Sequence, residues 1–228
     1  MYQNKVITIN EGQIFIIDDS NINISKDEYL NTTIWNISCS DEIILNNYTN
    51  EFIKKNERYV ISYNNLPLEK LVVNELVRKN YTISFAESCT GGMLASTLVN
   101  VSGASNVFEQ SFVTYSNESK IKQLNVRSST ISKHSVYSSE VAEEMVIGLY
   151  NKTKANICVS VTGRAGGDEY QDGDGSCDFA IFINDDDHDY LQLEHYHTHG
   201  SRNEVRKMQT TYIFWRILLR MKGQNKAN

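Results

Sequence analysis

The sequence predicts an α/β protein: a layered sandwich with helices packed on a mixed β-sheet, preceded by a small β-rich N-terminal module. Three observations carry that expectation. From about residue 66 onward, runs rich in strand formers alternate with longer runs of helical spacing, the order expected of helices layered on a sheet. Up to about residue 63 the chain instead offers short apolar runs broken by Asn, Asp and Ser. The length of 228 residues, 40% of them hydrophobic, allows one sizeable domain plus a small module.

The elements follow in order. Lys5–Ile9, Gln13–Ile17, Thr33–Ile37 and Glu42–Leu45 read as the strands of the module at 1–63. The only proline, Pro67, marks where the first long helix begins, with Leu68, Leu71, Val72, Glu75, Leu76 and Val77 on its periodic face. In the main domain, placed at 66–221, Tyr81–Phe85 alternates as a strand, and Met93–Val99 has apolar residues on one helical face. Ser111–Tyr115 and Asn156–Thr162 read as strands on either side of a helix at 139–150. Residues 178–183 and 190–194 form a hairpin across the acidic turn 184–189. A last helix over 203–221 carries Val205, Met208, Tyr212, Trp215, Leu218 and Leu219 on one side, and 222–228 reads as a frayed tail.

Composition excludes several classes of partner. The net charge is −6, the pI is near 5.4, and no Lys/Arg stripe interleaves with aromatics, so no nucleic-acid partner is expected. No apolar run reaches bilayer length and the polar start lacks a signal-peptide core, so no membrane partner and a cytoplasmic location are expected. Cys39, Cys89, Cys158 and Cys177 are far apart without Cys-x-x-Cys spacing, which favours reduced thiols over disulfides or a zinc site. Cys89 has no histidine in its segment to activate it as a nucleophile.

Chemistry concentrates at Ala86-Glu87-Ser88-Cys89-Thr90-Gly91-Gly92, a strand-to-helix junction. Its first-turn N–H groups are unpaired and its two glycines admit a close approach, which suits an anion or an oxyanion. Spacing alone equally allows Ser88 or Thr90 to be a simple N-cap. Further words follow in order: Gly103-Ala104-Ser105 with Phe108; Val113-Thr114-Tyr115-Ser116-Asn117 with Lys120, Leu124 and Val126; Ser138-Ser139-Glu140-Val141-Ala142 with Met145 and Gly148; Val161-Thr162-Gly163 with Ala165-Gly166; and Arg202 with Val205-Arg206.

From about Leu66 to Leu219 these words resemble the C-terminal domain of the CinA (competence-damage-inducible) family, whose stand-alone members include nicotinamide mononucleotide deamidases. The resemblance implies a serine amidase that cleaves the mononucleotide, a small-molecule substrate, to nicotinate mononucleotide and ammonia. It also implies no cofactor, no metal and a homo-oligomer. Ser88 would attack the carboxamide, Lys120 would be the base if burial or a cationic neighbour lowered its pKa, and Tyr115 would relay the proton or orient the lysine. Glu87, Thr90, Gly91, Gly92, Gly103, Ala104, Asn117, Thr162, Gly163, Arg164, Ala165, Gly166 and Arg202 would surround the substrate. Without the resemblance, Lys120 reads as a solvated lysine and Tyr115 as a packed strand residue.

The chain departs from the family pattern around the substrate loops. Arg164 stands where an aliphatic residue is usual, Gly167 where a proline is usual, Gln110 and Ser111 where small glycines are usual, and 172–177 keeps only the Gly-Ser end of a Lys-Pro-x-Gly-Thr word. Arg164 reads as a phosphate contact or a surface arginine, and Arg202 as a phosphate contact or a helix-fixing salt bridge. The departures also allow a non-catalytic binding or assembly domain. His195, His197 and His199 have a zinc-ligand spacing on a strand but no assignable further ligand, and Asp168, Asp172 and Asp174 do not fit a calcium loop. The module at 1–63 is too short to be the large nucleotide-processing domain of full-length CinA, and its role stays unassigned.

Overall fold

A computed structural model describes residues 1–63, 66–167, 171–185 and 189–223. Contacts divide the chain into two compact units. One is Met1–Leu71 together with the described residues from Leu218, the other Val72–Ile217. The division falls inside the first and last long helices of the main domain, whereas the sequence places it before the first and keeps the last whole.

The N-terminal unit holds β1 (Tyr2–Ile9), β2 (Asn23–Tyr29), β3 (Thr32–Cys39), α1 (Glu42–Lys55) and β4 (Val60–Tyr63). The strands form an antiparallel sheet in the order β2-β3-β1-β4. Leu45, Tyr48 and Phe52 of α1 pack on Val6, Trp35, Ile37 and Val60, and the Trp35 indole N–H donates to Thr8 Oγ1 at 2.9 Å. Three sequence expectations change here. Glu42–Leu45 is the first turn of α1, because the Asp41 carboxylate accepts from the N–H groups of Ile43 and Ile44 and a helical core face follows. Gln13–Ile17 joins no sheet: the Asn56 side chain binds the N–H and C=O of Phe15 as a neighbouring strand would. Strand β2 escapes the pattern because its residues are almost all polar and exposed on a sheet edge.

The main domain contains α2 (Leu68–Lys79), β5 (Ile83–Glu87), α3 (Met93–Val99), β6 (Phe108–Val113), α4 (Asn117–Leu124), α5 (Ser128–His134), α6 (Ser139–Thr153), β7 (Ile157–Arg164), β8 (Gly173–Asn184), β9 (Asp189–Gly200) and α7 (Arg202–Met221). The sheet runs β6-β5-β7-β8-β9, with β6, β5 and β7 parallel and β8 and β9 antiparallel. It is the mixed sheet the alternation predicts. The acidic turn at 184–189 lies partly outside the described residues, as does most of the tail at 222–228.

Strand parity explains the layers. Ala86, Cys158, Ala180 and Phe182 face Val141, Ala142, Met145, Val146 and Leu149 of α6. Their neighbours in sequence point to the other side, where Phe85 meets Phe214 and Phe179 meets Tyr212 of α7. The central strands β5 and β7 are buried on both faces and so read as nearly continuous apolar runs. Among the described residues no helix is long and apolar enough to cross a membrane.

The contact of α4 with α6 depends on Gly148. A Cβ there would lie 1.9 Å from the Leu124 carbonyl oxygen at the end of α4. Gly148→Ala must push α4 off α6, and urea unfolding should show a loss of about 1–3 kcal/mol, the usual range for overpacking a tight core.

Candidate functional site

Ser88 leaves the carboxyl end of β5 at the point where the strand order reverses. The chain passes from β5 to β6 on one side and returns to β7 on the other, and such switch points open a crevice beyond the strand ends. Hydrogen bonds extend both ladders past the strands: Ser88 N–H donates to Val161 O at 3.0 Å, and Thr114 N–H to Glu87 O at 2.8 Å. Three strand ends therefore present Ser88, Tyr115 and Arg164 around one cavity of about 490 Å³.

Lys120 reaches that cavity from helix α4. Ser116 caps the helix by accepting from Ser119 N–H at 3.0 Å, and the first turn then points Lys120 inward. The lysine is 1% exposed. Its Nζ donates to Ser88 Oγ at 2.8 Å and to Thr114 O at 2.8 Å, with Tyr115 O at 3.4 Å. Burial pulls its pKa from 10.5 down to about 8, opposed by the nearby Cys89 sulfur. The Tyr115 side chain is not what orients it. That phenol is 61% exposed and accepts from Arg202 Nη2 at 2.9 Å, while the backbone carbonyls of 114 and 115 hold the amine.

Of the other residues expected around a substrate, Asn117, Gly163, Arg164, Ala165, Gly166 and Arg202 do line the cavity, whereas Glu87, Thr90, Gly91, Gly92, Gly103, Ala104 and Thr162 do not. Glu87 is fully buried and its carboxylate is engaged within the protein. It accepts from Thr90 Oγ1 at 2.8 Å, Leu94 N–H at 3.0 Å and Ala95 N–H at 2.9 Å. The start of α3 thus carries its own anion, which removes the expected ligand role of that helix terminus. Nor does Ser88 or Thr90 serve as N-cap: Gly92 does, with φ +92 and no side-chain bond. Gly91 lies beside Arg206, whose guanidinium donates to Thr90 O at 2.6 Å and 3.2 Å. Gly103 and Ala104 sit at a 3₁₀ turn over 104–106, and Thr162 spends its hydroxyl on Val136 O at 2.8 Å.

Two wall residues, Val136 and Tyr137, had no signal in the sequence because they come from the connection between α5 and α6. Gly163 lets β7 approach β8 closely, since a Cβ there would lie 2.2 Å from Ser176 O. Burial pushes the Cys89 thiol up to about 12, so it is a neutral wall group. The histidine run lies on exposed positions of β9. His195 pairs with Asp178 at 3.2 Å, His199 with Asp174 at 3.1 Å, and His197 is 4.0 Å from Asp174. Among the described residues no group of three or more His, Cys, Asp or Glu is arranged to hold a metal ion, and Asp168 lies outside them. Glu87→Ala strands three donors, two of them buried, and urea unfolding should register a loss of roughly 3 kcal/mol, with Glu87→Gln recovering part of it.

The fold agrees with comparisons to known proteins. A family profile described as the CinA C-terminal domain matches residues 65–221. A CinA-like protein of Petrotoga mobilis is 45% identical over 164 residues, covering 71% of this chain and 39% of the relative, so the chain spans about two fifths of that protein's length. A CinA-superfamily structure from Klebsiella pneumoniae superposes with a TM-score of 0.62 at 25% identity, covering 68% of this chain and 96% of that one. One from Escherichia coli superposes with a TM-score of 0.56 at 27% identity, covering 66% and 89%. A matched segment that spans most of the chain, together with this shared fold, places the protein in the CinA C-terminal domain family.

Proposed function

We propose that the protein is an amidohydrolase that converts nicotinamide mononucleotide to nicotinate mononucleotide and ammonia through Ser88 and Lys120. The observation that carries this reading is the 2.8 Å contact of a desolvated lysine with a serine hydroxyl at the floor of an open cavity. A lysine of ordinary pKa is a poor base near neutrality, with about one molecule in a thousand neutral at pH 7.5. With the pKa at about 8, roughly a quarter is neutral at that pH. The neutral amine takes the Ser88 proton as Oγ attacks the carboxamide carbon, then returns it to the departing ammonia. Water next attacks the acyl-serine ester, with Lys120 accepting its proton and passing it to the leaving Ser88 Oγ, which frees the acid and restores both groups.

The tetrahedral intermediate needs donors for its oxyanion. The N–H group of Cys89, a residue that lines the cavity beside Ser88, would take this role. The competing reading, a domain that binds but does not catalyse, calls for Lys120 turned away from Ser88 or a cavity filled by Arg164. The contact distance and the open cavity support the amidase instead.

Ammonia release from the mononucleotide tests the proposal. Ser88→Ala and Lys120→Met should each lower kcat by about a thousandfold or more, and Lys120→Arg should not rescue, because arginine stays protonated. The pH profile of kcat/KM should rise with an apparent pKa of about 8 and level off above it. The same shift links to stability. The folded protein loses the Lys120 proton near pH 8 while the unfolded chain keeps it to about 10.5, so wild type should gain stability relative to Lys120→Met as pH rises through that window. Denaturant unfolding between pH 7 and 10.5 measures the difference.

A further inference from the structure

Among the described residues the Ser88 cavity is lined by three cationic side chains, Lys120, Arg164 and Arg202, and by no carboxylate. In a chain of net charge −6 this reverses the average surface. Other arginines are neutralised or engaged. Arg78, Arg127 and Arg216 pair with Glu75, Glu144 and Glu194 at 2.6 Å, 2.5 Å and 2.7 Å, and Arg206 binds the Thr90 carbonyl. The two cavity arginines rest on neutral supports. Arg202 donates to the Tyr115 hydroxyl at 2.9 Å, and the Arg164 guanidinium carbon lies 5.2 Å from the centroid of the Tyr137 ring. An aromatic face orients a guanidinium without cancelling its charge.

The backbone at Arg164 is also held in place. Its carbonyl accepts from Nε2 of Gln209 at 3.1 Å, and Gln209 is fully buried. The β7–β8 register fixes Arg164 opposite Ser176, next to the close crossing of Gly163 over that strand. An arginine carried on a buried anchor and stacked on a ring stands ready for an anion.

We propose that Arg164, seated on Tyr137, is a specificity determinant that joins Arg202 in binding the phosphate monoester at the end of the substrate remote from Ser88. The site thereby selects the mononucleotide over its nucleoside. This rests on the reading that the carboxamide is placed at Ser88. A planar guanidinium offers paired donors to phosphate oxygens, which a lone ammonium does not. The nucleoside carries only the positive pyridinium and meets the two arginine charges with nothing to offset them.

Calorimetric titration of the Ser88→Ala protein with nicotinamide mononucleotide and with nicotinamide riboside tests the proposal without turnover. The mononucleotide should bind at least tenfold more tightly. Adding Arg164→Met should reduce that ratio about tenfold, the affinity for the mononucleotide falling and that for the riboside holding or rising. Tyr137→Ala, which keeps the charge and removes its platform, should reduce the ratio by a smaller factor. An unchanged ratio in Arg164→Met, or no preference for the phosphorylated ligand in the parent, overturns the proposal. The amidase reading fails separately: wild type that binds the mononucleotide selectively yet releases no ammonia contradicts the reaction and leaves the role of Arg164 standing.

Discussion

The buried hydrogen bond between Lys120 and Ser88 is the constraint around which the main domain is arranged. An ammonium that is almost wholly removed from water is costly, and the protein meets that cost with three oxygen acceptors supplied by two neighbouring strand ends. Each has to be placed independently. The parallel triplet β6-β5-β7 puts Ser88 and the 114–115 carbonyls side by side, and α4, docked on α6 over the bare backbone of Gly148, delivers the amine. The same burial that strains the ammonium lowers its pKa, so the feature that costs stability is the one that would let the lysine act as a base.

Two kinds of electrostatics are kept apart in this site. At the start of α3 the positive end of the helix is satisfied from within by Glu87, which ties β5, the Ser88 turn and α3 into one rigid corner. The cavity itself is positive through side chains whose supports are neutral, the Tyr115 hydroxyl and the Tyr137 ring. Glu87 is therefore spent on the scaffold, and the two arginines are left facing the cavity.

Much of this was legible in the sequence and some was not, for physical reasons. The strands β5, β7 and β8, and the helices α6 and α7, announce themselves through long apolar periodicity that tertiary packing reinforces. The first turn of α1 misleads because Ile43 and Ile44 are strong strand formers, and only the Asp41 cap and the later spacing of Leu45, Tyr48 and Phe52 reveal the helix. Ser88 and Lys120 were readable as residue types in recognisable words, but their meeting across thirty-two positions is a property of the fold. Glu87 and Thr90, close to Ser88 in the chain, read as ligand contacts because sequence proximity does not reveal that one side chain caps a helix beneath the turn. Tyr137 was invisible because it enters the cavity from a connection with no periodic pattern.

The central claim is that Lys120 exists substantially as a neutral amine near physiological pH. The most direct measurement is an NMR titration of the protein carrying lysine labelled at Cε, with the Lys120 resonance assigned by its loss in Lys120→Met. The account predicts a midpoint near pH 8. A midpoint above pH 10, where exposed lysines titrate, would contradict it.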